Sequence, residues 1–302
     1  MAAVASGRLV DRATQSWVRF TGRRIDLSVH RWLDGPCGSP DGIGDAWIRE
    51  EATRLGGSVA PATPEDGLLE SMGAIASMDL DPACLRGEIV DFYTRTSQWR
   101  MELWFQWCSI ARPFGFAIST LFARRLAQLS LPLRPLDAAL GIESRIVKVV
   151  STSGVPLGTA WVRTLRSTGE TVYSGWYGTA TLPGRADPSL RVVFPLPNGS
   201  VIVFLRPESR PGGGLRLLSP HEPFGGHGAY LLVRDEDGRH AWVRRAPIVE
   251  TFDLYVDEEG VLRTNHSLRL WNFRVIDLHY RLDPSPTATA SPASEAAVDS
   301  GS

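Results

Sequence analysis

The sequence predicts an α+β protein, with N-terminal helices packed on a large, strongly curved antiparallel β-sheet or β-barrel of about ten strands. Three observations carry this. The hydrophobic period changes from 3.6 to 2 near Ile142. From there to residue 282, Gly, Pro and Asn turn signals recur between short apolar runs. One pair of those runs is apolar on both faces and so needs cover on both sides.

That pair is Val192 to Leu205, V-V-F-P-L-P-N-G-S-V-I-V-F-L. Strand-prone residues flank Asn198-Gly199, the dipeptide that most readily supplies the positive φ of a hairpin turn. Pro195 and Pro197 have no N–H to give to a ladder. A four-residue loop from Pro197 to Ser200, closed by Leu196 and Val201, accommodates them better than a two-residue loop. One face then carries Val192, Phe194, Leu196, Val201, Val203 and Leu205, and the other Val193, Pro195, Ile202 and Phe204. A helix layer outside and a packed core or lined cavity inside would cover them.

Residues 1–64 read as a loop-rich N-terminal segment, with short helices over Leu9 to Phe20 and Ile48 to Leu55, the second ended by Gly56-Gly57. Asp34, Asp41 and Asp45 do not match the alternate-acid spacing of a calcium loop and read as a solvated loop. Residues 65–135 read as an aromatic-rich helical layer. Pro64-Glu65-Asp66 opens a short helix, and Asp81-Pro82 opens the main one with a carboxylate cap and proline at the first position. Its polar stripe is Asp91, Arg95, Gln98, Glu102 and Gln106.

The run from Leu103 to Phe122 concentrates Trp104, Phe105, Trp107, Phe114, Phe116 and Phe122, with Arg112-Pro113 inside it. Gln106 and a central Arg112 argue against a bilayer span. Two readings stand: a buried helical hairpin covering the outer face of the sheet, and a peripheral membrane contact with aromatics in the headgroup zone. The apolar outer face of the 192–205 hairpin favours the first.

Residues 136–282 read as the antiparallel meander or barrel, with strands near 142–150, 158–166, 171–182, 190–196, 201–206, 215–218, 228–234, 240–245, 249–256, 261–270 and 273–282. A sheet that wide tends to curl. Residues 283–302 are rich in Pro, Ser, Thr and Ala and read as a disordered tail.

Composition narrows the function. With 302 residues, 43% hydrophobic content and net charge −1, the chain can bury a large core and has no global field for nucleic acid, so no nucleic-acid partner is expected. The three cysteines, Cys37, Cys84 and Cys108, are too scattered for a zinc site or disulfide framework. The first residues lack the apolar run of a signal peptide. A cytoplasmic setting is the default. No nucleotide, zinc or nucleophile motif is present, and no cofactor or metal is expected. The loop Pro220 to Gly228 could gate a barrel mouth with His221 and His227 at its rim, or be a plain solvated loop.

One constellation follows from registry. A three-residue loop Glu258-Glu259-Gly260 pairs Val256 with Leu262 and Phe252 with His266, which sets Glu250 and His266 on one apolar wall. The turn after it decides Asp277. With Trp271-Asn272 alone as the turn, Asp277 faces His266; with one residue more, His266 faces Leu278 and Asp277 points outward. Hydrophobic matching favours the longer turn. Candidate catalytic residues are therefore Glu250, His266 and Asp277, acting as acid and base. Candidate ligand-lining residues are Trp161, Tyr177, Phe252, Leu254 and Leu268, among strand aromatics that include Tyr173, Trp176, Tyr230 and Trp242. Arg163 and Arg166 lie on opposite faces, so at least one meets solvent.

Two functions follow. The first is binding of an apolar small molecule or lipid in a cavity of the curved sheet capped by helices. The alternative is a cofactor-independent enzyme, such as an isomerase, cyclase or lyase, using the same cavity.

Overall fold

A computed structural model describes residues 2–38, 44–107, 142–166, 169, 171–271 and 273–285. Among them, three α-helices accompany one antiparallel sheet of fourteen strands. The helices are α1 (Ala2–Thr21), α2 (Ala46–Arg54) and α3 (Gly87–Thr94). Three strands precede the meander: β1 (Arg23–Asp26), β2 (Gly57–Val59) and β3 (Trp99–Trp107). The eleven predicted strands are all present, as β4 (Ile142–Ser151), β5 (Pro156–Leu165), β6 (Thr171–Thr181), β7 (Pro188–Leu196), β8 (Gly199–Arg210), β9 (Gly214–Ser219), β10 (Gly228–Arg234), β11 (His240–Arg245), β12 (Ile248–Val256), β13 (Leu262–Leu270) and β14 (Phe273–Pro284).

The sheet runs β2-β4-β5-β6-β7-β8-β9-β12-β13-β14-β3 and is not closed. It branches at β8, whose residues Gly199 to Phe204 pair with β10 and whose residues Arg206 to Arg210 pair with β9. β10 continues to β11 and β1. The sheet curves far enough that Arg163 on β5 touches Met101 on the edge strand β3, with Nη2 at 2.8 Å from the sulfur.

The β7–β8 hairpin is the divide between two cores. Val192, Phe194, Val201, Val203 and Leu205 belong to one, and Val193, Ile202 and Phe204 to the other. Its register differs from expectation by two residues. Leu196 pairs with Gly199, so Pro197-Asn198 forms the turn. Asn198 carries the positive φ of 59°, in the order, Pro then Asn, that a type II turn prefers. β10 sets this register by pairing as far as Gly199, opposite Val233, and by donating Arg234 N–H to the Asn198 carbonyl at 2.8 Å. A shift of two preserves both faces.

The outer face is covered by the N-terminal segment. Leu33 and the α2 residues Trp47, Ile48 and Ala52 pack on Val193, Ile202 and Phe204. The buried indole of Trp47 donates to Ser174 Oγ at 2.8 Å. Asp34 joins this cover by pairing with Arg54 at 2.8 Å and Arg234 at 2.6 Å, and Asp45 pairs with Arg145. Asp41 lies outside the described residues.

The expected long helix is corrected. Asp81 does cap a turn, accepting from Ala83 N–H at 3.0 Å, but that turn covers only Pro82–Cys84. Pro64-Glu65-Asp66 opens no helix, because Asp66 instead accepts from Thr63 N–H and Oγ1 at 2.7 and 2.9 Å. Trp99–Trp107 is strand β3, antiparallel to β14. Its sequence, W-R-M-E-L-W-F-Q-W, alternates with period two. Gln98, Glu102 and Gln106 are four apart and fit either period, which is why they read as a helical stripe. Residues 108–141, which hold the rest of the Leu103 to Phe122 run, lie outside the described residues. Asp283 and Pro284, expected to open the tail, instead pair with Arg100 and Trp99; the rest of the expected tail, residues 286–302, lies outside the described residues.

Candidate functional site

The inner face of the hairpin borders a cavity of about 130 Å³. Leu190, Val192, Phe194, Val203 and Leu205 form its apolar floor, α3 covers it with Phe92 and Tyr93, and Leu68 together with β3, β5, β6, β9, β12, β13 and β14 supplies the rest of the wall. The polar groups on that wall are few: Arg163, Glu250, Thr264, His266 and the hydroxyls of Tyr93, Tyr173, Tyr177 and Tyr280.

The registry argument places the acid and the imidazole. Phe252 pairs with His266 and Glu250 with Leu268, so the two are diagonal neighbours. Glu250 Oε1 lies 3.5 Å from His266 Nε2, without the geometry of a hydrogen bond, and neither ring nitrogen has a partner. His266 is 7% exposed. Its ring stacks on Phe252 at 3.8 Å and lies nearly parallel to Tyr280 at 6.4 Å. An imidazole packed between rings and free at both nitrogens is fixed in place yet chemically available.

Asp277 is not part of this group. The turn is the shorter one, with Leu270 opposite Phe273, but a bulge between the Arg269–Arg274 and Leu268–Ile276 pairs shifts the register by one and sets His266 opposite Leu278; Asp277 sits on the other face, accepting from Arg274 Nε at 2.7 Å. Of the predicted lining residues, Trp161, Tyr177, Phe252 and Leu254 border the cavity. Leu268 does not, although it shares their face. Tyr173 lines the cavity too, whereas Trp176 and Tyr230 belong to the outer core. His227 is no rim residue: it is buried, with Nε2 at 2.9 Å from Ser189 Oγ.

Arg163 was missed as a site residue. It is 7% exposed, while Arg166 meets solvent. Its guanidinium lies over Trp161 at 5.3 Å and Tyr173 at 5.7 Å. The signal was Trp161 itself: a residue two places along a strand shares its face.

The tyrosines around the cavity are held neutral. Burial pushes Tyr93, Tyr173, Tyr177 and Tyr280 above the ordinary phenol range, with Arg163 pulling the last three back. Tyr173 and Tyr177 share a hydrogen bond of 2.6 Å. Because the folded chain holds these protons after the unfolded chain loses them, their stabilisation is complete below about pH 10 and lost above it. In an alkaline titration, tyrosinate absorbance from these four is expected to rise only together with unfolding. Normal ionisation near pH 10 in a protein that keeps its circular dichroism would show the cavity to be wet.

Among the described residues no helix is long and apolar enough to cross a membrane. No family model matches the chain, and no solved structure matches it. The chain is 27% identical over 223 residues to the uncharacterized membrane protein YndJ of Bacillus subtilis (strain 168). That similarity covers 72% of this chain, which spans 38% of the length of the relative.

Proposed function

We propose that the chain binds an apolar small molecule or lipid in the cavity between α3 and the curved sheet. The observation that supports this is the cavity's size and lining. A dry apolar cavity of about 150 Å³ is enough to take benzene, and this one, about 130 Å³, is walled mainly by Leu, Val and aromatic side chains. The direct test is native mass spectrometry of protein purified without detergent, with an organic extract of the same sample. A retained apolar compound is expected. A clean unliganded mass, together with no uptake of short-chain alcohols in calorimetry, would sink the reading.

The pair of Glu250 and His266 supports a second reading, a cofactor-independent isomerase, cyclase or lyase. His266 is buried, free at both nitrogens and 3.5 Å from a carboxylate. Turnover of the retained compound that disappears in His266→Ala and Glu250→Gln, with affinity kept within about tenfold, would establish it. Unchanged turnover would remove both residues from any chemistry.

The free thiols of Cys37 and Cys84 support a reducing, cytoplasmic setting. Contact with a membrane surface is supported by Trp104, 52% exposed on the outer side of β3, and by the similarity to a relative described as a membrane protein. Co-flotation with liposomes that is released by Trp104→Ser is the expected result, and failure to co-float would dismiss it.

A further inference from the structure

Arg163 poses a problem that the apolar reading leaves unsolved. A guanidinium has five N–H donors, and taking it out of water without a partner for its charge is costly. Here it is 7% exposed and its Nε has no hydrogen-bond partner. The Met101 sulfur, a weak acceptor, takes one N–H. No carboxylate of the described residues stands within ion-pair distance of it. Glu250, the acid of the same cavity, faces His266 instead, at 3.5 Å. The ring faces of Trp161 and Tyr173 offset only part of the cost.

The phenols beside Arg163 can donate as well as accept, and the Tyr280 oxygen accepts from the guanidinium while keeping its proton to give. Tyr173 and Tyr177 have one hydroxyl proton between them engaged in their mutual bond and one to give. Tyr280 lies on the same wall. A planar fork of guanidinium N–H groups with phenol O–H groups alongside is the arrangement that recognises a carboxylate. The floor of Leu190, Val192, Val203 and Leu205 offers nothing to a charge but suits a hydrocarbon.

We propose that the cavity selects small amphipathic anions, with a carboxylate seated on Arg163 and a short aliphatic or single-ring body against the β7–β8 floor. This rests on the binding function proposed above and adds to it the class of ligand. The countercharge that no described residue offers Arg163 is supplied by the ligand, so binding gives the buried cation an ion-pair partner.

The test compares three probes with the same chain and different heads, octanoate, 1-octanol and octylammonium, titrated into the whole chain by calorimetry. Octanoate is expected to bind at least about tenfold tighter than 1-octanol, equivalent to about 1.4 kcal/mol, and octylammonium not at all. Arg163→Met should remove the preference by weakening octanoate alone, and Arg163→Lys should keep part of it. If 1-octanol binds as tightly as octanoate, selection of an anion is overturned while the apolar cavity stands. If none of the three binds, both readings fall. The order of the three probes on the unaltered protein decides the matter even if Arg163→Met does not fold.

Discussion

Phe204→Ala is expected to destabilise the protein by about 3–5 kcal/mol, the range for deleting a buried aromatic ring, whereas Val203→Phe, one residue earlier on β8, should cost about 1 kcal/mol or less. The two side chains point to opposite faces of one strand. Phe204 is 0% exposed and meets Trp32 at 5.2 Å and Tyr230 at 5.7 Å in the solid outer core. Truncating it leaves a hole that those rigid rings cannot collapse to fill. Val203 borders the cavity, so a larger ring there falls into empty space. The same Val203→Phe should weaken 1-octanol binding by at least about tenfold, because it occupies the volume the probe needs. Denaturant unfolding of both variants gives the answer. Equal, large losses of stability would mean that the inner face is packed as tightly as the outer one and that no usable cavity exists.

This difference between faces explains what could be read from sequence. Along β7 and β8 both faces are apolar, and the need for two covers follows from that alone. What supplies each cover does not. The outer cover came from α2 and the loop bearing Leu33, far earlier in the chain than the aromatic run that had the right composition for it. Composition identifies a sticky surface but not its partner. The eleven strands of the meander were legible because Gly and Asn turn signals bracket each run. β1, β2 and β3 were not, since two are four residues or fewer and the third satisfies helical and strand periods at Gln98, Glu102 and Gln106.

The site divided in the same way. Glu250 beside His266 followed from a single local register, Phe252 opposite His266, which the turn at Gly260 fixes. Asp277 depended on the bulge between Leu268 and Arg269, a slip of one residue that reverses the face and that the short turn before it does not announce. Arg163 required knowing that the far arm of the sheet curls back to bring β5 next to β3, a long-range fact with no local signature. Charged residues are also poor candidates for an interior on general grounds. A buried cation is therefore the kind of functional residue that sequence reasoning tends to assign to solvent.

The turn that divides the two cores gives the other large effect. Gly199→Ala is expected to cost about 3 kcal/mol or more, and Asn198→Gly almost nothing. The sequence invites the opposite ranking, since in an Asn-Gly hairpin the glycine would be kept for its positive φ. Here the positive φ belongs to Asn198, where glycine is at least as comfortable. Gly199 has ordinary strand geometry and is needed for another reason: a Cβ there would press into the carbonyl oxygen of Leu232 on β10. That obstacle is backbone, so no rotamer change relieves it, and the ladder that joins β8 to the β10-β11-β1 branch must part at its first rungs. Asn198→Ala, which keeps a Cβ at positive φ without the side chain that tolerates it, should fall between, at about 1–2 kcal/mol. Thermal unfolding of the three variants ranks them. A well-tolerated Gly199→Ala would mean that β10 does not close against Gly199, and with it would go the register that places Pro197-Asn198 in the turn.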